Sequence, residues 1–179
     1  EREFFFYNYF YKKFYDISRQ VKQASKKDSI PILNKKASSL SLYQKGGLAL
    51  FALCESLGRE KFNLAVKNYL KKYSYKNVTT DDFLKEINLI STFDTKVFRE
   101  TWLEKTIFPQ EEVDRLFQKN EFIQQYIQHA SKPLDLVKDK GEMLKIMQGD
   151  AYFSIKELFD ATLVALNIKL DKAVEVRPR

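Results

Sequence analysis

Histidine and cysteine are nearly absent from this sequence, which holds one of each, His129 and Cys54. A single thiol excludes a disulfide framework. One imidazole and one thiol cannot supply a usual structural zinc site, nor a catalytic site built on two or more imidazoles. Any metal chemistry the chain joins must draw its ligands from elsewhere. Glycine and proline are also scarce, 5 and 4 residues in 179, well under the average usage of about 12% for the two together. Few tight turns are available, so long helices are expected. Charged residues interrupt every hydrophobic stretch before it reaches the ~18 apolar residues of a membrane span, so a soluble chain with no membrane partner is expected. The first residue is Glu1 and no signal-like apolar segment follows it, so the chain is expected to be a piece of a longer one.

What is present is a well-supplied core. The hydrophobic share of 44% and aromatic share of 15% exclude a disordered or collagen-like chain. Charge is uneven: residues 1–76 carry 16 basic and 6 acidic side chains, residues 77–179 carry 15 and 18, so the parts stand at +10 and −3. A basic half of this kind suits acidic peptides or an acidic neighbouring domain. Lysines interleave with aromatics over residues 69–76, a composition able to grip phosphates and stack bases. The aromatics there follow the buried helical period and the lysines the exposed one, so nucleic acid is the least favoured partner.

Periodicity then places the helices. Residues 1–26 read as one helix with a stripe of Phe6, Phe10, Phe14, Ile17 and Val21, and a second of Tyr7, Tyr11 and Tyr15. A loop over residues 25–41, carrying Pro31, separates it from an apolar helix over residues 42–57 that stops at Gly58, a left-handed cap. A third helix follows at once, with Phe62, Val66, Tyr69, Leu70 and Tyr73 on one side, so the pair forms a helical hairpin. Thr79 caps a fourth, with Asp81 and Asp82 in its first turn and Phe83, Ile87 and Ile90 on its buried side. A short helix over residues 95–105 presents Phe98 and Trp102, and Pro109 ends it. Beyond Pro109 four short helices are expected, around Leu116, Tyr126, Leu144 and Leu158, with the spacing of stacked helical hairpins.

Few residues carry chemistry. His129 closes a short helix without companions at ligand spacing, and the dipole's negative pole accounts for it. Cys54 lies on an apolar run and reads as a small core residue. The run Tyr43-Gln44-Lys45-Gly46-Gly47 differs, since a phenol, a cation and two glycines directly precede an apolar helix. A rigid helix can aim the phenol, and glycines permit close approach of a backbone or a substrate. Spacing alone equally fits a helix start with a half-buried tyrosine.

These residues belong to a longer order. The run over residues 42–53, then Leu57-Gly58 with Phe62, then Tyr69 and Tyr73, then residues 75–83 with Thr79, Asp81 and Asp82, then Trp102 and Pro109, resembles the zinc aminopeptidases of the aminopeptidase N family. Five landmarks stand in that family's order over residues 42–109. The resemblance implies a gluzincin-type metallopeptidase that removes amino-terminal residues from a peptide substrate. Its zinc would be held by an H-E-x-x-H pair and a later Glu, all preceding the Tyr motif, and none is present here. Tyr43 matches the family's oxyanion-stabilising Tyr and is the one catalytic residue carried over. Three departures accompany the match: Gln44 replaces the commoner Glu, Ile107 stands where Gly is usual, and residues 110–117 read helical where many members enter strands.

The expectation is therefore an all-α chain. Residues 1–109 form the helical half of a thermolysin-like peptidase domain, and residues 110–179 begin a helical, repeat-like C-terminal domain. Zinc belongs to the parent enzyme rather than to this chain, whose partner is the missing N-terminal part of the peptidase domain. The fragment alone is expected to be inactive. A rival from another class is a noncatalytic helical adaptor that binds peptides or proteins on its basic face.

Overall fold

The computed structural model describes residues 2–27, 30–131, 141, 142 and 145. Among the described residues every regular element is helical and no strand occurs, so the described part is all-α, in keeping with its sparse turn residues. The expected helices around Leu144 and Leu158 lie outside the described residues. No helix among the described residues is long and apolar enough to cross a membrane.

The order is α1 (Arg2–Ala24), a π-helical turn (Leu40–Lys45) running into α2 (Gly46–Leu57), α3 (Arg59–Lys72), α4 (Thr80–Ile90), α5 (Thr95–Phe98) running into a second π-helical turn (Arg99–Glu104), α6 (Gln110–Gln118) and α7 (Glu121–Ser131). Contacts divide the chain into two compact units, one of residues 14–116 and one of residues 1–13 with 117–179.

In the first unit α2 is the central rod: Leu48, Ala49, Ala52, Leu53 and Leu57 are buried along it. Phe14 of α1 stacks on its Phe51, ring centroids 4.3 Å apart and nearly parallel. Gly58 ends α2 with φ 81° and ψ 144°, a positive-φ extended conformation rather than the left-handed helical one expected from sequence. That region is essentially confined to glycine. Its N–H caps Cys54 O and its own carbonyl accepts from Phe62 N, so one residue closes α2 and opens α3. Between α3 and α4, Tyr69 meets Phe83 edge-to-face at 5.3 Å, and Lys72 Nζ binds the buried Glu86 at 2.6 Å. That hydrogen bond raises the Lys72 pKa above its ordinary value. Leu70, by contrast, is exposed rather than on the buried side.

The α4 start is as the sequence indicates. Thr79 accepts from Asp82 N while the Asp82 carboxylate accepts from Thr79 N at 2.9 Å, a capping box that holds the carboxyl pKa below its usual range. Asp94 caps α5 in the same manner, accepting from Lys96 N and Val97 N. Arg99 then joins Asp81 and Glu104, the latter at 2.6 Å. Phe98 and Trp102, four residues apart, both turn inward.

In the second unit the first helix contributes Tyr11, buried and edge-to-face with Phe117 at 6.3 Å. Asn120 donates to the buried Asn8 Oδ1 at 3.1 Å and accepts from Ile123 N, capping α7. Burial on α1 runs through Tyr11, Ser18 and Val21, whereas Phe10 is exposed. A helix apolar on two sides has no periodic preference between them, so its neighbours select the buried line.

Candidate functional site

Tyr43 sits in the middle of the first π-helical turn. The turn is defined by the Gly46 N–H, which reaches back five residues to Ser41 O. Its start is held by Ser38, whose carbonyl accepts from Leu42 N and whose hydroxyl accepts from Ser41 N. The helix thus begins a little before the expected residue 42. π-Helical turns are rare and concentrate at functional sites. Within this one, Ser41 and Lys45 face the interior and Tyr43 faces out, 79% exposed. The phenol is therefore not sealed within the chain. A rigid, buried base carries an accessible O–H donor.

The two glycines adjoin it at helical spacing. Gly46 has φ −61° and ψ −44°, and a Cβ there would meet nothing nearer than Ser41 O at 4.0 Å. A Cβ on Gly47 would rest 3.8 Å from the Phe14 ring. Neither distance is a clash, so the chain's own packing does not demand glycine at either position. Gln44, on the flank of the turn, has its Oε1 buried with no hydrogen-bond partner.

Lys45 is the residue whose place the motif did not reveal. It is 3% exposed, and its Nζ donates to the backbone carbonyl of Lys105 at 2.9 Å. A signal existed, because Lys45 precedes Leu48, Ala49 and Ala52 on the same apolar period. Charge normally argues for the surface, and a distant acceptor such as this carbonyl helps make an inward ammonium acceptable.

The remaining candidates stay apart from Tyr43 in the chain's chemistry. Cys54 is half-buried in α2 and its thiol pKa is pushed up, chiefly by burial and then by Glu55, which favours the protonated, unreactive form. His129 lies in the last turn of α7. Among the described residues no group of three or more His, Cys, Asp and Glu side chains is placed to hold a metal ion. The donors of the described residues do not gather into a zinc site. A shallow groove of about 370 Å³ lies elsewhere, lined by Tyr69, Leu70, Tyr73, Ser74, Tyr75 and Val78 at the α3 C-terminus.

Comparison with known proteins agrees with the motif order. The model of the "Peptidase family M1 domain" matches residues 2–102, more than half of the chain. Glutamyl aminopeptidase of Bos taurus is 34% identical over 74 residues, which are 41% of this chain and 8% of that protein. Aminopeptidase M1-D of Oryza sativa subsp. japonica is 33% identical over 93 residues, 52% of this chain and 10% of that protein. The chain thus spans about a tenth of the length of these relatives. No solved structure matches it.

Proposed function

We propose a function that starts from one fact: the chain belongs to peptidase family M1. It is a fragment of an aminopeptidase that hydrolyses N-terminal peptide bonds, and Tyr43 is its hydrogen-bond donor to the oxyanion of the tetrahedral intermediate. The relatives reported above are named aminopeptidases, which supports the reaction class. Zinc, the metal general to this family, would be held by polypeptide outside this chain, which would also supply the group that activates water.

The observation that carries the assignment is an exposed phenol on a turn that is fastened to the interior by Ser41 and Lys45, two residues to either side of it. A neutral phenol of pKa about 10 keeps its proton at working pH and donates without changing charge. A donor fixed before reaction need not reorganise as negative charge develops on the carbonyl oxygen, so it binds the transition state better than the substrate. Lys45, Leu48 and Ala49 hold the backbone beneath it, which is the positional rigidity such a donor needs. The unpartnered acceptor of Gln44 supports a neighbouring segment completing this surface.

The test is Tyr43→Phe in the complete peptidase. Loss of one oxyanion donor typically costs about 2.7–4 kcal/mol, so kcat should fall by roughly 100-fold or more while KM changes little. An unchanged kcat rejects the role of Tyr43. A complete protein that binds peptides without cleaving them would favour the adaptor.

A further inference from the structure

The side chain of Lys45 ties the two π-helical turns to one another. Each is closed by a bond that reaches back five residues: Gly46 N to Ser41 O in the first, and Lys105 N to Glu100 O at 3.1 Å in the second. The Lys105 peptide therefore ends the second turn with its N–H. With its carbonyl, 2.9 Å away, it receives the ammonium of Lys45, the last residue of the first turn. Sixty positions separate donor and acceptor in sequence.

We infer that Lys45 is a positioning residue for Tyr43: its buried ammonium, held on the Lys105 carbonyl, fixes the register of the π-helical turn that presents the phenol. The inference rests on the catalytic reading of Tyr43 given above.

A π-helical turn holds one residue more than the α-helical ladder accommodates, so its loss would rotate the preceding residues by about 100° about the helix axis. A phenol two residues before Lys45 would leave its present direction entirely. With the start of the turn held on Ser38, the same slip would instead turn Lys45 and break its bond to the Lys105 carbonyl. That loss is resisted because Lys45 as a whole is buried, 3% exposed, where an ammonium deprived of an acceptor is costly. The second turn is in turn anchored by Trp102 and Leu103, both buried, and by the bridge from Arg99 to Asp81 of α4. Lys45 therefore grips a fixed wall rather than a mobile loop.

The experiment is a double-mutant cycle in the complete peptidase, reading kcat, KM and bound zinc. Lys45→Met keeps an unbranched stem of similar length and removes the donor. Displacement of a catalytic group by about 1 Å can cost 10²-fold, so Lys45→Met should lower kcat about 10- to 100-fold with KM and zinc content little changed. In a Tyr43→Phe background the same substitution should cost less than about 2-fold, because the group it positions is already absent. Lys45→Arg, which retains a donor, should recover most of kcat. Should Lys45→Met fail to fold, Lys45→Gln, too short to reach the carbonyl but polar, enters the same cycle with the same expectations. An equal loss of kcat in both backgrounds overturns the inference while leaving Tyr43's role intact. An unimpaired Tyr43→Phe enzyme overturns the catalytic reading and this inference with it.

Discussion

Replacing Gly46 or Gly47 by alanine separates what the fold requires from what the reaction requires. Both glycines are helical and lie inside the continuous helix formed by the first π-helical turn and α2. Glycine within a helix is less favourable than alanine by about 0.8–1.0 kcal/mol. The new methyl meets Ser41 O at 4.0 Å in one case and the Phe14 ring at 3.8 Å in the other, so no repulsion offsets that gain. Contact with Phe14 adds to the second, at most about 0.8 kcal/mol for a fully buried carbon. Each substitution should stabilise this chain by about 1 kcal/mol, or about 2–4 °C in Tm for a chain of this size. Urea unfolding read by Trp102, the sole tryptophan and 4% exposed, measures it directly. In the complete peptidase the same methyls lie three and four residues beyond Tyr43, close enough along the helix to narrow the approach to the phenol if the motif's glycines serve substrate access. There kcat/KM should fall at least 10-fold despite the higher stability, the trade-off expected where a site needs space more than rigidity. Loss of stability in either variant would refute the packing argument. Gain of stability with unaltered kcat/KM would refute the idea that the glycines serve substrate approach.

Other expectations follow from the same geometry. Gly58→Ala meets no atom within 4 Å, yet forces a Cβ into a positive-φ conformation and should destabilise the chain by about 1–3 kcal/mol; a neutral result in urea unfolding would contradict that backbone. Thr79→Ala removes the cap of α4 and should cost about 1 kcal/mol, measured in the same way. Asp82, whose folded pKa is lowered from 3.8 chiefly by the Thr79 N–H, contributes stability that is present above pH 3.8 and is lost as pH falls through the lowered folded value. Asp82→Asn should flatten that acid limb, and an unchanged slope in pH-dependent unfolding would contradict the capping box.

Much of this molecule was legible before any coordinate. A helix over residues 42–57, a second directly after Gly58 and a third capped by Thr79 follow from apolar period and local chemistry alone, because a cap and its partners lie within three residues. The family followed from five landmarks in order, a one-dimensional property. Gly58 was recognisable as a stop, but its ψ was not, since only the packing of α3 onto α2 sets the direction in which the chain leaves.

What sequence determined on its own was therefore helical content, local caps and the presence of a phenol before an apolar rod. Tertiary structure alone decided that the buried line of α1 takes Tyr11 from one apolar stripe and Val21 from the other, that Leu70 and Phe10 face solvent, and that Lys45 points inward to a carbonyl sixty residues away. The reason is physical. Caps and periods depend on neighbours within one or two turns, whereas burial of a charge or choice between equal apolar faces depends on partners that the chain brings near only when it folds.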